Sequence, residues 1–407
     1  SMKRIICIVL LLSIFCGCTA TPDSQPGSEV NLLLDEKFDT EEKLPAYDMQ
    51  NQYMRFRVAC ESEDAYYFKP EQSTFIFFYD KKSGKADMLC GRPECSHDSQ
   101  ECNAYIADSY GICYYENKIY FLKDERLQSV LYAVDPDGTN LRKIQVLKSD
   151  MNGWNPMMRM HRGYIYTAVI KHEVTEGENS TRMIVQREIL GQEGAEPAVV
   201  YEEVLENSEY GIDFYLQAEG NVLYILINKQ NVDTDPGTLL AIHAYDMKTG
   251  RLDTVGEGTY KDVFVSDYLV QEDTAYITLY DWAGSNYLLS CDLEEGKMGE
   301  LTEIPMGNVS LTPGLQENVV VGYRGAIDPA YYITDFDGTL IRQGELPKVE
   351  GQKETIAALM GQLDDGILFM LSSNEGEPKV ETLVLVPLDE KEEIQILWRG
   401  ESVIPRM

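Results

Sequence analysis

The sequence predicts an all-β protein, a β-propeller of four-stranded antiparallel blades, with seven blades as the best count. From about Met54 onward, short runs rich in Tyr, Val, Ile and Phe alternate with polar turns. No stretch has a long helical period, and the best helical candidate, Thr355–Leu363, is short and flanked by Gly. A strand–turn–strand unit recurs roughly every 43 to 56 residues. Its turns begin at Asp80, Asp135, Gly191, Asp246, Asp292, Asp335 and Asp389.

A second hairpin lies upstream of each turn, so each unit holds four strands in a period of about 50 residues, as in a propeller blade. One four-stranded sheet cannot bury both of its faces, whereas blades stacked around an axis bury them and leave only short edges. A pair of β-sandwiches is the main rival, and the regular two-hairpin period disfavours it. Six or eight blades also fit, because the boundary units are irregular. Residues 44–53 or 394–407 are candidates for the strand that closes the ring.

The strand order of a blade predicts which loops share a face. With strands a to d, the a–b and c–d hairpins lie on one face, and the b–c loops and d-to-a connections lie on the other. The seven recurrent turns are c–d hairpins and are interpreted as structural. The opposite face receives longer loops, at 90–104, 148–156, 171–181, 202–212, 228–238, 281–286 and 372–381.

Two tryptophans in these longer loops are candidate ligand-binding residues, since binding groups concentrate on loops held by a rigid scaffold. Trp154 falls in a d-to-a connection and Trp282 in a b–c loop. Their indole rings are suited to stacking on a sugar or clamping a peptide. Packing at the rim of the ring is the alternative interpretation for both. Trp398, in the last strand, is expected to pack.

The charge balance excludes some partners. The 407 residues include 68 Asp or Glu and 35 Lys or Arg, for a formal net charge of −33. A nucleic-acid surface needs clustered Lys and Arg, so no nucleic-acid partner is expected. An anionic membrane would also repel this chain unless a covalent anchor held it there. Hydrophobic content of 44% indicates a folded body beneath the acidic surface.

The N-terminus is typical of an exported protein. Ser1 is interpreted as a cloning scar, Lys3 and Arg4 form a positive region, and an apolar run of about eleven residues follows, too short to span a bilayer. The segment Phe15-Cys16-Gly17-Cys18 then resembles a bacterial lipobox, with Phe15 in place of the usual Leu. This resemblance implies that the mature chain begins at a lipidated Cys18. An ordinary secretory signal cleaved nearby is the alternative.

These features predict three parts: a lipoprotein signal peptide at 1–17, a lipid anchor and acidic tether at 18–48, and a single propeller domain at 49–407. Loss of Lys3 and Arg4 with the signal takes the net charge to about −35. Like-charge repulsion extends the tether and holds the domain off the surface. The expected location is the outer face of the bacterial cell membrane.

The densest chemistry in the sequence is a cysteine cluster with the pattern C-x4-C-x-H-x4-C. Cys90, Cys95, His97 and Cys102 could close a tetrahedral structural Zn²⁺ site. Exported proteins more often use Cys in disulfides, and six cysteines, an even number, remain once Cys7 and Cys16 leave with the signal and Cys18 carries the lipid. Disulfides are therefore at least as well supported as a metal, and free buried thiols are a third possibility.

Two segments resemble the hairpins of TolB-like propellers, in which a strand ends in an Asp-x-Asp-Gly turn. They are Ser129-Val130-Leu131-Tyr132-Ala133-Val134-Asp135-Pro136-Asp137-Gly138 and Tyr331-Tyr332-Ile333-Thr334-Asp335-Phe336-Asp337-Gly338. Over nearly its whole length the chain is similar to uncharacterised propeller lipoproteins of Gram-positive, Clostridia-type bacteria. The cysteine cluster looks like a feature of that family. The resemblance implies a fold and a location, not a reaction.

The sequence favours a non-catalytic function. There is no Gly-x-Ser-x-Gly elbow, and His161 and His172 are interpreted as structural. We therefore expect a monomeric binding module for a glycan, a peptide or an envelope partner. The alternatives are a glycan-active enzyme on the loop-rich face, which requires carboxylates or His from separate blades to converge around the axis, and a scaffold in an envelope complex.

Overall fold

The computed structural model confirms the all-β propeller of seven blades. It describes residues 59–71, 73–106, 109–149, 151, 154–175, 178–206, 211–231, 237–304, 310–313, 319–324, 328–348, 355–363, 366–373 and 379–401. In these residues there are seven antiparallel sheets and no helix. It follows that none of these segments is a helix long and apolar enough to cross a membrane. Thr355–Leu363, the best helical candidate, is a strand.

Each blade consists of consecutive strands that run a, b, c, d. Blades 1 to 3 contain β1(Ala59–Glu61), β2(Ala65–Phe68), β3(Phe77–Asp80), β4(Lys85–Met88); β5(Ser109–Tyr115), β6(Lys118–Glu125), β7(Gln128–Val134), β8(Arg142–Val146); and β9(Trp154–His161), β10(Tyr164–Thr175), β11(Glu178–Ile189), β12(Ala198–Glu206).

Blade 4 contains β13(Gly211–Glu219), β14(Val222–Asn231), β15(Gly237–Asp246) and β16(Leu252–Lys261). Blade 5 contains β17(Val263–Gln271), β18(Thr274–Asp281), β19(Asn286–Asp292), β20(Lys297–Met298) and β21(Thr302–Ile304). Its outermost position is divided, because β20 and β21 both pair with β19. Blade 6 contains β22(Ser310–Pro313), β23(Val319–Arg324), β24(Ala330–Asp335) and β25(Leu340–Glu345). Blade 7 contains β26(Thr355–Leu363), β27(Gly366–Ser373), β28(Val380–Val386) and β29(Gln395–Glu401).

All seven recurrent turns lie between strands c and d, as predicted. Local chemistry explains the position of five of them, because the leading Asp80, Asp246, Asp292, Asp335 or Asp389 accepts hydrogen bonds from the turn backbone. Asp246 Oδ1 accepts from the N–H of Thr249 at 2.8 Å, and Asp292 Oδ1 accepts from the N–H of Glu295 at 2.8 Å. The closing glycine is left-handed, with a φ of 72° at Gly250.

The hydrophobic core is divided among the seams between blades. One cluster joins blades 1, 2 and 7, and the others join blades 2 and 3, 3 and 4, 4 and 5, 5 and 6, and 6 and 7. Each sheet is therefore apolar on the faces that meet its neighbours, and the ring of sheets buries what one sheet alone would expose.

Side chains of blade 7 close the ring on blade 1. The Trp398 ring in β29 lies 5.4 Å from that of Phe68 and 5.0 Å from that of Phe77. The backbone N–H of Glu71 donates to the fully buried carboxylate of Glu381 at 2.7 Å. The predicted packing role of Trp398 is confirmed. Of the two candidate closing segments, 394–407 contributes the outermost strand of blade 7, and 44–53 lies outside the described residues.

Trp398→Ala is expected to lower the free energy of unfolding by about 3 kcal/mol, because it removes the aromatic contact that joins the last blade to the first. Chemical denaturation of the purified protein measures this loss. Trp282→Ala is the control: that side chain is 69% exposed, and its loss is expected to change stability by no more than about 0.5 kcal/mol. Equal effects of the two substitutions would contradict closure through Trp398.

Candidate functional site

The cysteine cluster lies in the connection between β4 and β5, which leads from blade 1 to blade 2. The ligand atoms of Cys90, Cys95, His97 and Cys102 all lie within 4.8 Å of one another. Cys102 is buried and the other three are half-buried. Tetrahedral ligands at about 2.3 Å from a zinc ion would lie about 3.8 Å apart. The cluster has the ligand set and spacing to hold a metal ion.

Local turns bring the four ligands together. The N–H of Cys95 donates to the carbonyl of Arg92 at 3.1 Å, and the N–H of Cys102 donates to the carbonyl of Ser99 at 3.2 Å. His97 is left-handed, with a φ of 56°, and its Nδ1 lies 3.5 Å from Cys102 Sγ. Arg92 donates to the carbonyl of Glu101 at 2.8 Å across the base of the loop. The chain thus folds back on itself, as four ligands around one ion require.

The loop docks on the c–d turn of blade 2. The N–H of Gly91 and the side-chain amide of Asn103 both donate to the carbonyl of Gly138, at 3.0 and 2.8 Å. Loop 90–104, which was expected on the face opposite the c–d turns, thus contacts one of those turns. Sheets twist, so the end of an outer strand reaches toward the neighbouring blade, and loop and turn meet at the seam.

The other end of the loop is fixed to blade 1. Tyr105 forms a β-bridge with Phe75, and Ile76 donates to the carbonyl of Ala104 at 2.9 Å. The metal-ligand cluster is therefore anchored to both of the blades that it connects.

Hydrogen bonds and burial set the thiol chemistry of the cluster. Burial acts to raise the pKa of Cys90, but hydrogen bonds from the backbone N–H groups of Arg92 and Asn103 and from the neighbouring thiols outweigh it, so the pKa is lowered. Burial, together with the neighbouring Cys95 and Cys90, raises the pKa of Cys102 to about 12. Three thiolates this close repel one another without a cation, and a bound metal relieves that repulsion as the protons leave.

All six cysteines in the described residues are free thiols, so the structure shows none of the disulfides that the sequence allowed. The three outside the cluster are buried in seams. Cys113 donates to the sulfur of Met160 at 3.5 Å, and burial raises its pKa to about 12. Cys291 Sγ would lie 2.6 Å from a Cβ at Gly256, so it fills the space beside that glycine. These thiols act as packing groups.

The candidate aromatic residues lie on separate blades. Trp154, which was expected in a d-to-a connection, is instead the first residue of β9 in blade 3, and its side chain is outside the described residues. Trp282 lies in the b–c turn of blade 5, with its ring 4.9 Å from that of the buried Phe264. Cys18, the candidate lipidation site, is also outside the described residues. His161, whose Nε2 lies 2.7 Å from the Gly220 carbonyl, joins two turns, in line with a structural role.

The innermost strands carry a polar group that was not predicted from the sequence. Arg159 on β9 interacts electrostatically with Cys113 of blade 2 and Asp267 of blade 5, and burial lowers its pKa. Arg159 donates to the carbonyls of Leu216 at 3.3 Å and Met158 at 3.1 Å. The sequence feature that could have indicated this group is an arginine between two apolar residues, in Met158-Arg159-Met160. The innermost strands therefore carry charged side chains from more than one blade, Arg159 from blade 3 and Asp267 from blade 5.

No protein-family model matches this chain, and no curated protein matches it. Solved structures do. One from a study of two prolyl endopeptidases matches with TM-score 0.56 and 14% identity, over 94% of this chain and 56% of that chain. Prolyl oligopeptidase B of Galerina marginata matches with TM-score 0.51 and 10% identity, over 93% of this chain and 56% of that chain. TolB of Acinetobacter baumannii matches with TM-score 0.40 and 13% identity, over 71% of this chain and 65% of that chain.

These similarities concern the fold. The chain spans little more than half the length of the two oligopeptidase structures. At 10 to 14% identity, they bear on architecture and leave the reaction of this protein open.

Gly138→Ala tests the docking of the cysteine loop. A Cβ at Gly138 would lie 2.6 Å from the backbone nitrogens of Cys90 and Gly91. The substitution is therefore expected to push the loop off blade 2, to lower the free energy of unfolding by about 2 kcal/mol and to speed modification of Cys90 by a thiol reagent.

Gly84→Ala is the matched control. Gly84 closes the c–d turn of blade 1 at a φ of 66°, close to the 78° of Gly138, but its Cβ would meet nothing nearer than 3.7 Å. Gly84→Ala introduces the same backbone strain without the clash. It is therefore expected to lower the free energy of unfolding by less than Gly138→Ala does, and to leave the rate of thiol modification unchanged. Equal thiol reactivity in both variants would refute the docking.

Proposed function

We propose that this protein is an exported, lipid-anchored propeller that acts as a monomeric binding module for a glycan outside the cell. The observation that carries this proposal is the exposed aromatic platform on blade 5. Trp282 is 69% exposed and Tyr280 is 38% exposed, and both rings lie against the buried Phe264, at 4.9 and 5.8 Å. The two exposed rings are neighbours and form one apolar patch, and such patches mark interaction sites.

The turn that carries the platform is rigid. Asp281 Oδ1 accepts from the N–H of Ser285 at 2.8 Å, and its other oxygen accepts from the hydroxyl of Tyr287 at 2.9 Å. Burial acts to raise the pKa of Asp281, but these hydrogen bonds outweigh it and the pKa is lowered. The Asp281 carboxylate is thus hydrogen-bonded within the turn, and the exposed aromatic rings are the groups that a ligand could contact. Flat aromatic faces suit the apolar faces of sugar rings.

A peptide or an envelope partner is the alternative ligand class for this module, and the acidic surface supports an absence of nucleic-acid partners. A second function, a glycan-active enzyme, is favoured by one observation: Arg159 and Asp267, from blades 3 and 5, interact on the inner strands. A single carboxylate beside an arginine falls short of the two carboxyl groups that glycoside hydrolysis uses. Binding therefore has the stronger support.

We also propose that the metal at Cys90, Cys95, His97 and Cys102 is Zn²⁺ with a structural role. Three thiolates and one imidazole are a soft donor set typical of zinc. Four protein ligands leave no open position for a substrate, so the ion would hold the seam between blades 1 and 2.

The platform is tested by screening the purified protein against soluble glycans and cell-wall fragments, with tryptophan fluorescence as the readout. Trp282→Ala is expected to weaken binding at least about tenfold, the loss of one stacking contact. Trp398→Phe is the control and is expected to bind normally, since it keeps an aromatic ring at the closure. Unchanged binding after simultaneous replacement of Trp154 and Trp282 would end their proposed role.

The zinc proposal is tested by metal analysis and thiol counting on protein purified under reducing conditions. We expect about one Zn²⁺ per chain, with loss of the metal and of stability in Cys95→Ser and His97→Ala. Cys291→Ser removes a thiol outside the cluster and is expected to keep the metal. A metal-free protein with three disulfides would overturn the proposal.

Lipidation is tested by mass spectrometry of the protein made in a bacterium that processes lipoproteins. The mature chain is expected to begin at Cys18 with a diacylglyceryl mass increment and to fractionate with membranes. Cys18→Ser is expected to release it to the soluble fraction, because the acidic chain has no other attraction to the surface. Membrane retention of the serine variant would contradict the anchor.

A further inference from the structure

A cavity of about 630 Å³ opens at the seam between blades 2 and 3. It is lined by the b–c turn of blade 2, by the end of β8 with the connection after it, and by the c–d turn of blade 3. The residues that matter below are Leu127, Val146, Lys148 and Glu193. This volume is typical of pockets that hold a small ligand or a few residues of peptide.

The turn at the cavity mouth has a strained backbone, which lowers the stability of the protein. Arg126 and Leu127 connect β6 to β7 in two consecutive left-handed conformations, with φ of 51° and 69°. Such turns favour Asn or Gly, as at Asn117 and Gly163 in other tight turns of this chain. Here the second position is a leucine that is 87% exposed. A strained backbone that presents an apolar side chain to water points to contact with a ligand.

Buried side chains hold the segment Lys148–Ser149, which lines the cavity, in place. Glu188, only 4% exposed, accepts from the N–H and the hydroxyl of Ser149 at 2.8 and 2.7 Å, and from the N–H of Lys148 at 3.2 Å. The fully buried Gln145 accepts from the N–H of Gly191 at 2.6 Å. These bonds fix the walls before any ligand arrives, which lowers the entropic cost of binding.

One wall of the cavity is a strand edge. β8 is the outermost strand of blade 2, and among the described strands it pairs with β7 alone. The outward N–H of Val146 has a long contact of 3.4 Å to the exposed carboxylate of Glu193. An edge with weakly held backbone groups accepts an extended peptide as an added strand.

We propose that this seam cavity and the edge of β8 bind a short extended peptide of neutral or positive charge, with an apolar side chain packed against Leu127. The net charge of −33 disfavours an acidic peptide. Lys148 is already paired with Glu196, which leaves the Glu193 carboxylate to face a cationic residue of the peptide. The site is distinct from the platform at Trp282 and does not depend on it.

The probe is a library of acetylated, amidated hexapeptides that carry one Lys and a variable central residue, passed over immobilised protein and read by mass spectrometry. Peptides with central Leu, Ile or Met are expected to be retained at least about tenfold better than those with central Ser. Replacement of Lys by Glu is expected to weaken retention most at low salt. Equal retention of Leu- and Ser-centred peptides would overturn the proposal.

Leu127→Asn separates binding from folding. Asn is favoured in this turn, so the midpoint of thermal unfolding is expected to rise while peptide affinity falls about tenfold. Leu340→Asn, at an exposed leucine of blade 6, is the control and is expected to bind the peptide normally. Normal peptide affinity in Leu127→Asn would refute the site.

Amide exchange locates the bound peptide on the wild-type protein. Binding is expected to slow exchange in 142–149, the segment that includes the β8 edge, and protection confined to other blades would refute the site. Trp282→Ala is expected to leave peptide binding intact, so failure of this site and failure of the platform are distinguishable. The proposal would be overturned if the protein bound a glycan but no peptide, and if Leu127→Asn abolished that glycan binding. The cavity would then be assigned to a sugar.

Discussion

Burial of each sheet between its two neighbours is the constraint on which this protein depends. A four-stranded sheet with two apolar faces has no stable existence in water, and the hydrophobic clusters accordingly lie between blades. A ring assembled in this way is only as strong as its seams. The seam between blades 7 and 1 is closed by Trp398 and Glu381 without exchange of a strand in the described residues.

Hydrogen bonds to the c–d turn of the next blade recur at the seams. Arg342 of blade 6 donates to three carbonyls of the turn in blade 7, those of Pro387, Asp389 and Glu392, at 2.5 to 2.8 Å. Arg187 of blade 3 donates to the carbonyl of Met247 in blade 4 at 3.1 Å. The cysteine loop contacts Gly138 of blade 2 in the same way. The metal-ligand cluster is thus one version of a general solution, in which a group from one blade satisfies the turn backbone of the next.

The architecture was readable from the sequence because it rests on local signals. Turns such as Asp246 to Gly250 combine an Asp acceptor with a glycine at positive φ, and their spacing gives the blade count. The ligand set Cys90, Cys95, His97 and Cys102 was also readable, since its members lie within thirteen residues. The sequence did not decide between a metal site and disulfides, because spacing alone does not show that four ligand atoms converge.

Sites that join distant segments could not be predicted. The docking of the cysteine loop on Gly138 depends on the twist of two sheets, and nothing in the local sequence reports twist. The cavity between blades 2 and 3 brings together Leu127, Lys148 and Glu193. Each belongs to a different turn or connection, so the sequence around one of them does not indicate that the other two lie nearby. Leu127 did carry a signal, a leucine where a tight turn favours Asn or Gly, but it acquires meaning only once the cavity beside it is known.

The metal-ligand cluster follows a blade whose strands are short. The strands of blade 1 have three or four residues, whereas those of blade 4 have nine or ten. Short strands form few ladder hydrogen bonds, so blade 1 is held mainly by its buried side chains, which belong to the cluster that it shares with blades 2 and 7. Yet blade 1 must hold both blade 7 and blade 2. The loop that follows it adds the bridge from Tyr105 to Phe75 and the two hydrogen bonds to Gly138. A metal ion at the centre of that loop would add rigidity beside a blade whose strands form few ladder hydrogen bonds.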